Sequence, residues 1–159
     1  MRRLVAGRQR AQALVWLTVL MPLLLGISGL AIDGAVVFTA RRELQSVADG
    51  AARAAATRVD QVSLRESGGD QMELVQGQSG DSAWAAANGY LDERAAVDSH
   101  WRTRLRWRVA VLGPRVDVAV DADVPTAFMR IVGYDSVSVG ATSSANVRHG
   151  IGAPLQNPN

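Results

Sequence analysis

The sequence predicts an α+β protein, in which a long N-terminal helix crosses a membrane, continues outside it and packs on a small antiparallel sheet. Three to four strands and one or two short helices are expected outside the membrane. Three observations carry this. Ala11 to Ile32 (AQALVWLTVLMPLLLGISGLAI) holds no charged residue in 22 positions, and at about 1.5 Å per residue that is about 33 Å of helix, the thickness of a bilayer's hydrocarbon core. The following stretch, RRELQSVADGAARAAATRVDQVSLRE, keeps Leu44, Val47, Ala48, Ala51, Ala55, Val59 and Val62 at helical steps, as one buried helix face requires. Past residue 100 the apolar period falls to two, the period of a half-buried strand.

The chain therefore divides into a basic, flexible cytoplasmic leader (1–10), a helix over 11–65 that spans the membrane to about residue 33, an extracytoplasmic α+β domain (66–147) and a tail (148–159). The tail is rich in Gly, Pro and Asn and predicts disorder. A cleaved signal peptide has a shorter apolar core ending in a small-residue cleavage site, whereas this run is longer and passes Asp33 into GAVVFTA without a turn signal. An anchor is the reading this favours. Arg2, Arg3, Arg8 and Arg10 precede the run, and the positive-inside rule keeps them in the cytoplasm and sends the C-terminal domain outside. Arg41 and Arg42 on the far side oppose that orientation without outnumbering it.

The span has two unlike flanks. At 100° per residue, Thr18, Pro22, Gly26, Gly29, Asp33 and Ala40 share one arc of about 80°, while Trp16, Leu20, Leu23, Leu24 and Ile27 lie opposite. Lipid offers no hydrophobic drive between helices, so association depends on close backbone approach over small residues. The stripe reads as a face for a partner helix. Asp33 sits at its outer end, where it either reaches interfacial water or pairs with a neighbouring subunit.

Composition limits the chemistry. None of the 159 residues is cysteine, which excludes disulfides and thiolate reactions. All 17 basic residues are arginine, and the net charge of +2 demands no nucleic-acid partner.

Outside the membrane the elements follow in order. Ser67 to Asp70 is a turn, Met72 to Gln76 a short strand, and Asp81 an N-cap for the helix DSAWAAANGYLDERAAV with Trp84, Ala87 and Leu91 on one face. Asn88 and Gly89 offer an alternative end to that helix. In WRTRLRWRVAVL, Arg102, Arg104, Arg106 and Arg108 alternate with Trp101, Thr103, Leu105, Trp107 and Val109. After Gly113 and Pro114, Val116, Val118, Val120, Ala122 and Val124 alternate with Asp117, Asp121 and Asp123. A two-residue turn opposes Arg106 to Asp121, Arg104 to Asp123, Trp107 to Val120 and Val109 to Val118, so both faces match at once. The aspartates account for part of the arginine run, which otherwise resembles a nucleic-acid strip; the remaining arginines are left to lipid heads, DNA or a protein. Thr126 can cap a short helix, AFMRIV, ending at Gly133, and Ser136 to Val147 alternates as a third strand.

No catalytic constellation is present. His100 and His149 are isolated from any Glu or His at ligand spacing, no nucleophile motif or phosphate loop occurs, and the only clustered carboxylates oppose arginines. Neither a cofactor nor a metal is expected, and the function is not enzymatic.

With these residues in place, Arg10 to Leu25 (RAQALVWLTVLMPLLL), Gly29 to Gly34 (GLAIDG) and Leu44 to Ala56 (LQSVADGAARAAA) resemble the TadE/TadG-like pseudopilins of tight-adherence (Flp) pilus systems. V-x-V-x-V before Val124, Pro125 and Thr126, then Phe128 and a Val, Ser and Ala strand, resemble the external part of the family. The resemblance implies a pilin-like, non-catalytic component of a type IV pilus or related secretion machinery. It would sit in the bacterial inner membrane or in the fibre, with the bilayer and other pseudopilins or pilus platform proteins as its partners. Family members that are processed carry a glutamate five residues into the mature helix and a glycine before the cut. Here Trp16 and Ala11 hold those places, which implies an uncleaved, permanently inserted protein. The competing reading is a secreted or tethered binding module for DNA, lipid or protein, unrelated to pili.

Overall fold

The computed structural model describes residues 2–68, 72–78, 80–97 and 105–147, with side chains described from residue 12 onward apart from residue 13. Helix α1 (Arg2–Ala56) is followed by helices α2 (Gln61–Glu66) and α3 (Ala83–Val97), then strands β1 (Leu105–Leu112) and β2 (Arg115–Pro125). A 3-10 turn (Met129–Val132) and strand β3 (Ser136–Asn146) complete the chain. This is the expected α+β class, built on three strands in the order β1-β2-β3. The tail 148–159, His100, His149 and the strand entry Trp101 to Arg104 lie outside the described residues, as do Gly69 and Asp70 of the expected turn.

The chain forms two compact units, Met1–Thr39 with Val124–Val137, and Ala40–Asp123 with Ser138–Asn159. In the second, β2 is the centre of the sheet and buries Val116, Val118, Val120 and Ala122 on one face, joined by Val139 and Ala141 of β3. The α1 stretch Ala40–Ala56 buries Ala40, Leu44, Val47, Ala48, Ala51, Ala52 and Ala55, and Gln45 ties it to β3 by donating to the Thr142 carbonyl at 3.1 Å. Small alanines let the backbone approach closely but each contributes little buried area. Leu44, Leu74 and Leu91, all fully buried, supply the bulk. Helix α3 buries Ala83, Ala87 and Leu91 and packs on β1, where the Trp107 indole N–H donates to Asn88 Oδ1 at 2.9 Å.

Three boundaries differ from expectation. Helix α1 ends at Ala56 instead of running to residue 65. Residues 58–60 are drawn into a bridge with 73–75: Asp60 N–H donates to the Glu73 carbonyl at 2.8 Å and Val75 N–H to the Arg58 carbonyl at 2.9 Å, around the Val59↔Leu74 pair. The Asp60 carboxylate then accepts from Val62 and Ser63 N–H and starts α2 afresh. The expected strand at Met72 to Gln76 is only this single bridge. Helix α3 is capped by Ser82, whose Oγ accepts from Ala85 N–H at 3.1 Å, while Asp81 lies one position earlier and faces Arg58 at 3.2 Å. Asn88 and Gly89 lie within α3 and do not end it. The leader, expected to be flexible, is helical backbone from Arg2.

Candidate helix-packing site

In the unit formed by Met1–Thr39 and Val124–Val137, α1 exposes Trp16, Leu20, Leu23, Leu24, Ile27 and Leu30, each a large apolar side chain. Among the described residues this helix is long and apolar enough to cross a membrane. Its opposite flank, the small-residue stripe, is used in two different ways.

The outer part is occupied by the protein's own connection between β2 and β3. Asp33 is buried, with 3% of its surface exposed. Its carboxylate accepts from Ala127 N–H at 2.8 Å on Oδ1, and from Phe128 and Met129 N–H at 2.8 and 2.6 Å on Oδ2. These are the free donors at the start of the 3-10 turn, which has no side-chain cap of its own. Thr126, expected to cap it, instead donates its hydroxyl to the Tyr134 carbonyl, while its N–H donates to the Asp135 carbonyl at 3.1 Å. Gly133 at φ 94° closes the turn as anticipated, since the left-handed region favours glycine there. One helical turn below Asp33, a Cβ on Gly29 would collide with the Phe128 ring. Gly29 therefore serves close approach of this connection, and Asp33, buried, holds a segment of its own chain instead of reaching into water.

The inner part is open. A Cβ on Gly26 would meet nothing within 4 Å. Pro22 lies inside α1 and has no N–H for the carbonyl of Thr18, whose own hydroxyl donates to the Leu14 carbonyl at 2.8 Å. Of the possible processing residues, Trp16 is exposed on the opposite flank, while Ala11 contributes helical backbone and its side chain lies outside the described residues.

The hairpin ladder is separate. Strand β1 pairs antiparallel with β2, Arg106↔Asp121, Trp107↔Val120 and Val109↔Val118, across a turn with Gly113 at φ 56°. Arg106 Nε lies 2.6 Å from Asp121 Oδ2 and its Nη1 2.9 Å from Asp123 Oδ2. Hydrogen bonds that Arg106 donates to Asp123 and then to Asp121 hold its guanidinium pKa above its usual value. Arg106 thus reaches Asp123 diagonally, the aspartate that the sequence pattern assigned to Arg104; Arg104 and Arg102 lie outside the described residues. These groups are exposed, so the ladder sets register more than it stabilises.

The residues that sequence reasoning missed are Phe128 and the N–H groups of 127–129. They lie 94 to 96 positions from Asp33, beyond any local spacing rule. The available signal was an acidic residue on the same stripe as two glycines.

Among the described residues one helix is apolar and long enough to cross a bilayer, which points to membrane anchoring. Residues 11–58 match the family model of Flp pilus-assembly TadE/G-like proteins, about a third of the chain. That segment contains both the stripe and the alanine-rich outer half of α1. No curated protein and no solved structure matches the chain.

Proposed function

We propose that this chain is a non-catalytic, pseudopilin-like component of Flp pilus assembly. It is anchored uncleaved by one span in the bacterial inner membrane, with its N-terminus cytoplasmic and its α+β unit outside. It acts through helix packing. The observation that supports this reading is the division of the stripe: Gly29 and Asp33 hold the protein's own connection, and Thr18, Pro22 and Gly26 stay open to a second helix. The acidic residue keeps the connection in register, and the open glycine admits a partner helix, either another pseudopilin or a platform protein.

The same bonds weigh against a secreted binding module. Cleavage near Asp33 would leave the acceptor of three backbone N–H groups at a free chain end, without the preceding helix that positions it. Intact mass of the membrane-extracted protein tests the anchor, and a loss of about 3.5 kDa, the leader plus span at roughly 110 Da per residue, contradicts it. Gly26→Leu tests the packing face: association with pilus components and piliation should both fall, and a variant that assembles like the parent contradicts the proposal.

A further inference from the structure

The connection between β2 and β3 exposes an apolar cluster that the packing site does not use. Ile131 is 83% exposed, Val132 76%, Tyr134 62% and Phe128 38%. Its depth along α1 is fixed by two contacts, the Asp33 carboxylate on the N–H groups of 127–129 and the Phe128 ring over Gly29. Gly29 lies inside the uncharged run that ends at Ile32, one turn or about 6 Å inward of Asp33.

Resting on the membrane-anchored reading above, we infer that this connection is a second lipid contact, a foot set into the outer headgroup and upper acyl region of the bilayer. Non-helical backbone is excluded from that depth unless its polar groups are satisfied. Here they are. The N–H groups of 127–129 go to Asp33, Thr126 N–H to Asp135, Ile131 N–H to Phe128, Gly133 N–H to Arg130 and Tyr134 N–H to Met129. The only charges on the foot, Arg130 and Asp135, pair with each other at 3.1 Å. Tyr134 supplies the amphipathic ring favoured at membrane interfaces, and an insertion of about 5 to 10 Å is the depth at which apolar faces lie in the interface.

The chain has no cysteine, so single cysteines report cleanly. Ile131→Cys and, as an anchor control, Leu20→Cys carry an environment-sensitive fluorophore in full-length protein reconstituted in phosphatidylcholine and phosphatidylglycerol vesicles. The expected result is a blue shift at both sites. Loss of emission at position 131 should come from shallow nitroxide lipids and at position 20 from deep ones, with neither reached by aqueous iodide. Adding Asp33→Ala should return position 131 to iodide. Iodide quenching at position 131 with position 20 protected overturns the foot and leaves the anchor intact, whereas quenching at both overturns the anchor. A blue shift at position 131 without nitroxide quenching identifies a protein contact and also overturns the inference.

Discussion

The two halves of α1 answer to opposite solvents. Below Thr39 the bulky residues face outward and, among the described residues, only Gly29 and Asp33 are buried; above it Leu44 and Val47 turn in with the alanines, while Arg41, Arg42 and Arg53 face out. Burial of leucine marks the half that packs in water, where removing apolar area drives folding. Its exposure marks the half that packs in lipid, where only close approach and satisfied polar groups hold helices together. A single helix thus shows two packing rules side by side.

The largest effect that separates them is core truncation. Leu44→Ala should cost about 2 to 5 kcal/mol in the unit that contains Ala40–Asp123, read as a lowered denaturation midpoint in detergent. Leu24→Ala, in the exposed half, should leave that midpoint unchanged. A second break falls on Asp33. Asp33→Ala removes the acceptor of three backbone donors, and charged hydrogen bonds of about 1.5 to 3 kcal/mol each make amide exchange at Ala127, Phe128 and Met129 at least about tenfold faster. Unchanged exchange there would remove the cap from the account.

Glycine contacts sharpen the comparison further. A Cβ on Gly29 strikes the near end of Phe128, its Cβ and ring, whereas one on Gly50 strikes the hydroxyl end of Tyr90, which can swing away. Gly29→Ala should therefore cost about 1 to 3 kcal/mol of docking for the connection, seen as protease sensitivity at 126–134. Gly50→Ala should cost less in the denaturation midpoint.

The smallest effect is acid dependence. A hydrogen bond from the Ser143 hydroxyl, with Gln45 and the charge of Arg53, holds the Asp49 carboxyl below its ordinary value despite partial burial. Because the folded value is depressed, the stabilisation is present above the unfolded pKa of about 4 and fades as pH falls through the folded value. Asp49→Asn should flatten the stability profile below about pH 4.

What could be read in the sequence, and what could not, follows the same division. The register of β1 on β2 was legible because arginine against aspartate and valine against tryptophan had to match on both faces. The end of α1 was not, since helix propensity continues through TRVDQVSLRE and the bridge that stops it comes from Leu74. The stripe was legible as small, but its allocation depended on a partner segment nearly a hundred positions away.

The most direct test of the divided stripe is photo-crosslinking in living cells from a probe residue at position 26 and, for comparison, at position 24 on the opposite flank. The account predicts a protein adduct from position 26, identified by mass spectrometry as a pilus-assembly component, and lipid adducts alone from position 24. Equal yields of the same protein adduct from both positions, or protein adducts from position 24 alone, would contradict it.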